Sequence, residues 1–244
     1  MIFKPSVVFS NPSEIRRSRI SRSVVEPKRK KSNRNVVFVR ILFYVLQCLC
    51  YTVNHWYVIM PIKPWRLISS QRNKSFKIFN LRTDRACSPR TNEAYDFYIL
   101  ESADWVNVIP LTPRNEVVLI RQYRHGIGEA TLEIPGGIVE ETDSPEDAAR
   151  RELIEETGYK ESEMHLLGSV HPNPAFLTNR CYTFLAKGVS PVKEQEQDEK
   201  EDIEVVVRPL EQIPALIRER EITHALVLAA FYRFYMEYLP GLLG

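Results

Sequence analysis

The stretch from residue 144 to 158 constrains this chain more than any other part of it. Ser144 is a good helix N-cap, Pro145 suits the first helical position, and Asp147 completes a Ser-x-x-Asp capping box. Gly158 supplies the stop, so the pattern predicts a helix running to Thr157. Within it Glu152, Glu155 and Glu156 stand three and four residues apart, on one face within an arc of about 100°. Stacked carboxylates repel one another. Their ordinary outcome is a solvated acidic face, partly neutralised here by Arg150 and Arg151. The helix, however, follows a Pro135-Gly136-Gly137 turn whose backbone carbonyls can join carboxylates around a cation. A hard divalent ion such as Mg²⁺ takes those oxygen ligands and keeps several waters. Held that way, it can bridge the oxygens of a pyrophosphate.

The surroundings of the helix read as one α/β unit. Val106–Ile109 and Val117–Gln122 are short β-branched runs, joined by a turn at Thr112-Pro113-Arg114-Asn115. Phe76–Leu81 and Ala94–Glu101 alternate well enough to predict strands in a β-rich N-terminal portion. Thr131–Ile134, Val170, Tyr182–Ala186 and Ile203–Val207 supply further strands. Leu210–Arg220 and Thr223–Tyr238 read as closing helices, the second apolar at Leu226, Ala229, Ala230 and Phe234. Five of the nine glycines fall between 126 and 158, so the chain turns tightly there.

Charge divides the 244 residues in two. Residues 1–59 hold 11 Lys/Arg against 2 Asp/Glu, whereas residues 60–244 hold 22 against 29. The first part is Ser- and Arg-rich, with the run Lys28-Arg29-Lys30-Lys31, and then apolar from Val36 to Met60. Such a basic tail is usually disordered. Its longest uncharged apolar stretch, Ile41–Val53, is 13 residues, short of the roughly 20 that a membrane-spanning helix needs. The expectation is that residues 1–59 lie outside the working protein, which begins at Met60. The alternative is a membrane anchor through residues 36–60 with its basic flank inside. The larger part is acidic, which argues against a nucleic-acid-binding domain. Cys48, Cys50, Cys87 and Cys181 form neither a disulfide framework nor a zinc pattern.

The spacing Gly137-x5-Asp143-x7-Arg151-Glu152-Leu153-x-Glu155-Glu156-x-Gly158-Tyr159 resembles the Nudix box, with Asp143 where that family has Glu. Nine spaced positions make a specific motif. The resemblance extends from about Trp65 to the C-terminus, through Arg121-Gln122-Tyr123-Arg124 and Leu132-Glu133-Ile134-Pro135-Gly136-Gly137, and those flanks look like the ADP-ribose pyrophosphatase branch. It implies an α/β/α sandwich around a mixed sheet, preceded by the small β-rich portion and usually found as a homodimer. It implies that Glu152 and Glu156 bind Mg²⁺ (or Mn²⁺) with the Gly136 carbonyl, and that Glu155 is a ligand or near neighbour. Arg151 resembles the structural arginine that pairs with residue 143, while Gly137 and Gly158 hold the turn and the helix end.

Between Glu194 and Glu204, seven of eleven residues are acidic. Alone this reads as a solvated loop. By resemblance, Glu199 is the catalytic base and Glu201 a further metal ligand, with Glu201 or Glu196 next in line as the base if the register shifts. Arg124, Glu133 and Pro174 match substrate-contacting positions of the branch, and Trp105, Tyr123 and Phe176 are aromatics able to stack on a base. His125, His165 and His171 show no metal-ligand spacing and read as surface or packing residues. The resemblance therefore implies a Mg²⁺-dependent cytoplasmic hydrolase of a small nucleotide substrate, ADP-ribose giving AMP and ribose 5-phosphate. The alternatives are another nucleotide sugar such as GDP-mannose, since Pro172-Asn173-Pro174-Ala175-Phe176 departs from the Ser-Pro-Gly loop of the strictest ADP-ribose enzymes, or a silent nucleotide-binding module.

Overall fold

Alternating apolar residues on four central strands give this molecule two cores, one on each face of a single sheet. The computed structural model describes residues 62–196 and 202–238. The sheet runs β12 (Ile203–Pro209), β5 (Glu116–Arg124), β4 (Trp105–Leu111), β10 (Cys181–Lys187), β9 (Glu163–Val170), with β6 (Glu129–Glu133) also on β5 and β7 (Gly136–Ile138) also on β4. Strands β4 and β10 are parallel, the other pairs antiparallel, so the sheet is mixed. Val106 and Val108 of β4, Val118 of β5 and Phe184 and Ala186 of β10 pack on one face against Ala148, Ala149 and Leu153 of helix α1 (Pro145–Thr157). Their neighbours Ile109, Val117, Leu119 and Leu185 point the other way, toward α2 (Ile213–Arg218) and α3 (Ala225–Tyr238). Period-two alternation thus produces the expected α/β/α sandwich.

Helix α1 begins and ends where its sequence says. The Ser144 hydroxyl accepts from the Asp147 N–H at 3.1 Å, and Gly158 closes the helix at φ 74° with its N–H on the Ile154 carbonyl at 2.8 Å. A Cβ at Gly158 would come within 2.2 Å of the Lys193 carbonyl oxygen, so both conformation and space require glycine.

The N-terminal sheet is an antiparallel meander of β1 (Arg66–Ser75), β2 (Asn80–Cys87) and β3 (Ala94–Glu101). The expected strand Ala94–Glu101 is present. The expected strand Phe76–Leu81 is instead mostly the β1–β2 turn, closed by the Phe76 N–H on the Phe79 carbonyl at 2.8 Å. Its alternation mimics a strand, while β1 itself is exposed throughout and so carries no buried face to announce it. Cross-strand charge pairs bind this sheet, Arg82 to Glu101 at 2.5 Å and Arg85 to Asp96 at 2.9 Å, and Arg82 also pairs along its own strand with Asp84 at 2.9 Å. The Asp84 carboxyl is held below its ordinary range mainly by the Ser70 hydroxyl, against burial, with help from Arg82.

The closing helices also differ from expectation. Leu210–Gln212 is a 3₁₀ turn, and α2 stops at Arg218 because Arg220 takes a left-handed φ of 66°. The buried face of α3 is Val227, Ala230, Phe231, Phe234 and Tyr235, with Leu226 and Ala229 only half-buried to one side. Among the described residues no helix is long and apolar enough to cross a membrane. Residues 1–59 and the segment 36–60, on which the extension and the anchor readings fall, lie outside the described residues.

Candidate active site

The glutamate face of α1 lies against β7, and the two glycines there make the approach possible. A Cβ on Gly136 would sit 2.3 Å from the Val106 carbonyl oxygen, and one on Gly137 would sit 2.3 Å from Glu152 Oε1. Gly137 was expected to provide a tight turn. Its backbone is instead extended strand paired with Val106, and what it provides is room: the Glu152 carboxylate occupies the space of a missing side chain. One turn further along, Glu156 is buried at 4% exposure and its Oε2 accepts the Gly136 N–H at 2.8 Å.

Arg151 organises the remaining charges. Its Nη1 donates to Glu152 Oε1 at 2.8 Å and to Glu155 Oε2 at 3.1 Å, its Nε to Asp143 Oδ2 at 3.2 Å, and its Nη2 to the Ile138 carbonyl at 3.0 Å. Burial works to lower the Arg151 pKa, but the Glu152 charge and the bonds to Asp143, Glu152 and Glu155 outweigh it and raise the value. Asp143, one methylene shorter than glutamate, still reaches its arginine.

Gly136, Gly137, Ile138, Arg151 and the three glutamates of α1 line a cleft of about 770 Å³ together with Gln122, Arg124, Glu140 and Glu196. Its protein donors are hard oxygens, the ligand chemistry Mg²⁺ and Mn²⁺ take. Among the described residues no three carboxylates converge on one point: Glu152 and Glu155 lean on Arg151, and Glu156 on the Gly136 N–H. The acidic segment enters the cleft from the C-terminal end of α1. The Glu196 N–H donates to the Glu155 carbonyl at 3.0 Å and the Gln195 side chain to the Glu156 carbonyl, capping carbonyls the helix leaves without partners. Glu199 and Glu201 lie outside the described residues.

A second, more apolar cleft of about 280 Å³ lies on the same Gly136–Ile138 strand, lined also by Trp105, Asn107, Arg124, Glu133, Cys181 and His224. Glu133 is 3% exposed and is gripped by Arg124 through two bonds, 2.7 and 2.8 Å, and by the Thr131 hydroxyl at 2.5 Å. Burial would raise its pKa, yet Arg124 and Thr131 hold it below the ordinary 4.5. In Cys181 burial has no such opponent and pushes the thiol up to about 12, an inert wall.

Of the residues singled out in the sequence, the structure gathers Glu152, Glu155, Glu156, Gly136, Gly137, Arg151, Asp143 and Arg124 in or beside the first cleft, and Arg124, Glu133 and Trp105 at the second. Pro174 is not among them. It sits exposed in the turn Asn173–Leu177, which docks on β3 through the Leu100 N–H to the Phe176 carbonyl at 2.8 Å. Tyr123 and Phe176 are exposed and line neither cleft. His125 stacks edge-on to Tyr123, and His165 pairs with Glu163 at 3.0 Å. Sequence reasoning missed Asn107 and His224, which come together only through the fold; a histidine just before an apolar helix was the one available signal.

A mixed sheet between helices, with a glutamate ladder pressed onto a Gly-Gly strand, defines the class as a hydrolase built around a carboxylate cleft. A family description, the NUDIX domain, matches residues 102–231, and the chain belongs to that family. The chain is similar to the ADP-ribose pyrophosphatase of Bacillus subtilis (strain 168), with 29% identity over 161 residues, 66% of this chain and 86% of that one. It is 50% identical over 64 residues to the ADP-sugar pyrophosphatase of Mus musculus, a match covering 25% of this chain and 29% of the mouse protein. In fold it is similar to a solved ADP compounds hydrolase, with a TM-score of 0.65 and 19% identity, covering 75% of this chain and 97% of that one.

Proposed function

We propose that this chain is a Mg²⁺-dependent pyrophosphohydrolase that cleaves ADP-ribose to AMP and ribose 5-phosphate. The observation that carries the reading is the placement of Glu152 and Glu156, one turn apart, against Gly136 and Gly137, with an arginine-bearing cleft beside them. Glu152, Glu155 and Glu156, the Gly136 carbonyl and Glu201 are the groups that would hold the cation. Mg²⁺, or Mn²⁺ in its place, would supply charge neutralisation on the diphosphate oxygens and a more acidic attacking water. Glu199 takes the proton of that water, which requires an approach of about 3 Å, directly or through one more water. Arg151 keeps Glu152 and Glu155 oriented, and Asp143 keeps Arg151 in place. Arg124, held by Glu133, lines both clefts and so meets substrate at their seam. We further propose a homodimer formed through the N-terminal sheet, where Trp65, Tyr95, Phe97 and Tyr98 are all exposed and Trp65 meets Phe97 edge-on at 5.2 Å. A cytoplasmic location follows from the substrate class.

The test is a panel of nucleoside diphosphate sugars and nucleoside triphosphates with Mg²⁺, products separated and identified. AMP and ribose 5-phosphate from ADP-ribose, at a kcat/KM above that for ATP or dGTP, is the expected result. Preference for GDP-mannose moves the substrate within the nucleotide sugars. Preference for a triphosphate, or binding without turnover, overturns the proposal.

A further inference from the structure

Asn107 is buried at 6% exposure on β4, directly opposite Gly136 in the strand register, and its side chain lines the smaller cleft. Its Nδ2 donates to the Leu226 carbonyl at 3.3 Å at the start of α3. A carbonyl only accepts, so this bond fixes which way the amide faces. The other end, Oδ1, is buried and has no donor among the described residues. A buried acceptor without a donor is costly, and native structures rarely leave one unless a water, an ion or a ligand meets it. His224 is oriented by the same residue. Its Nδ1 accepts the Leu226 N–H at 3.2 Å, which leaves the proton of the neutral ring on Nε2. Two residues of the cleft lining, one carrying an acceptor and the other a donor, are thus anchored to the backbone of Leu226, beside the Arg124–Glu133 pair and Trp105.

Resting on the pyrophosphohydrolase reading, we infer that Asn107 is a specificity-determining residue whose Oδ1 accepts a hydrogen bond from a hydroxyl of the sugar adjoining the diphosphate. The two clefts share Gly136, Gly137, Ile138 and Arg124, so a diphosphate over the glutamates has its next group at the mouth of the smaller cleft. In any nucleoside diphosphate sugar, the group joined directly to either phosphate is a sugar, and the base lies one ring further out. A sugar hydroxyl also both donates and accepts, matching Asn107 Oδ1 and His224 Nε2. An exocyclic amine of a base needs only the first.

The experiment uses the full chain with ADP-ribose and a series of analogues lacking one hydroxyl from either ribose, or the exocyclic amine from the base. One sugar deletion should lower kcat/KM by about tenfold to a hundredfold, the usual effect of leaving a buried polar group unpaired. In Asn107→Ala that discrimination should shrink to less than about threefold, because the intact and deleted substrates then lose the same partner. Asn107→Ser, which retains an oxygen, should keep part of it, and melting curves report the fold of both variants. Tolerance of every sugar deletion by the unmutated chain overturns the inference, and needs no variant. So does discrimination at the base amine alone, or a uniform loss by Asn107→Ala across all analogues, the mark of a merely structural role. Failure of the unmutated chain to cleave any nucleoside diphosphate sugar would instead remove the underlying reading.

Discussion

The two clefts share one floor strand but are assembled in opposite ways. The polar cleft draws Glu152, Glu155 and Glu156 from consecutive turns of α1, so those charges are set by local spacing, and only Glu196 reaches it from a segment distant in sequence that docks on the end of the helix. The apolar cleft takes Trp105 and Asn107 from β4, Arg124 from β5, Glu133 from β6, Cys181 from β10 and His224 from the approach to α3, residues separated by up to 119 positions. A reaction common to a whole family can be written into one helix and one loop. On the proposed reading, selection of the organic arm is left to packing, where single positions can change without disturbing the chemistry. On this account polar-cleft substitutions should cost rate on every substrate, and apolar-cleft substitutions should change the ranking of substrates.

The largest effects belong to the polar cleft. Glu152→Gln and Glu156→Gln each remove a charge from the proposed cation ligands, and should lower kcat by at least ~10²-fold while raising the Mg²⁺ concentration needed for half activity. Glu199→Gln should lower kcat by ~10²–10⁴-fold with nearly unchanged Mg²⁺ dependence, and recover partly at high pH as hydroxide replaces the lost base. Wild-type kcat in Glu199→Gln would move the base to Glu201 or Glu196.

The glycine pair should separate chemistry from stability. In Gly137→Ala the nearest atoms to the new methyl are the flexible end of Glu152, so melting should change by less than about 1 kcal/mol while activity falls sharply as the carboxylate is displaced. In Gly136→Ala the methyl meets the Val106 backbone oxygen, which cannot step aside, and destabilisation of about 1–3 kcal/mol should accompany the loss. Equal stability costs for the two would contradict the stated contacts.

How much of this was legible without coordinates follows from the same contrast. Ser144, Gly158 and the three glutamates act on neighbours a few residues away, so helix α1 is readable to the residue. Strand β1 was invisible because Arg66–Ser75 buries neither face, and the Phe76–Phe79 turn borrowed a strand's alternation. Asn107 reads as one polar residue in an apolar strand until the fold sets it opposite Gly136 and under Leu226. Pro174 fitted by count along the chain, yet its turn docks on β3.

Smaller effects concern the Arg124–Glu133 pair. Its folded pKa lies below the ordinary 4.5, so Glu133 adds stability that is fully present above about pH 4.5 and fades as pH falls toward the folded value. Glu133→Gln should therefore be less stable than the unmutated chain by a constant margin from pH 8 to 5, of about 1–3 kcal/mol given that Arg124 is partly exposed. That margin should narrow in urea melts below pH 4.5. A margin that widens with acid would reverse the sign and refute the pairing. Least of all, Arg85→Ala in the exposed N-terminal sheet should cost no more than about 1 kcal/mol, since both partners of its ion pair are half exposed.

The most direct test is the ratio of kcat/KM for ADP-ribose to that for ATP, measured in the unmutated chain, in Glu156→Gln and in Arg124→Ala. The division of labour between the clefts predicts that Glu156→Gln lowers both constants and leaves the ratio within about twofold, while Arg124→Ala moves the ratio toward one by about tenfold. A ratio that collapses in Glu156→Gln, or survives in Arg124→Ala, would contradict it.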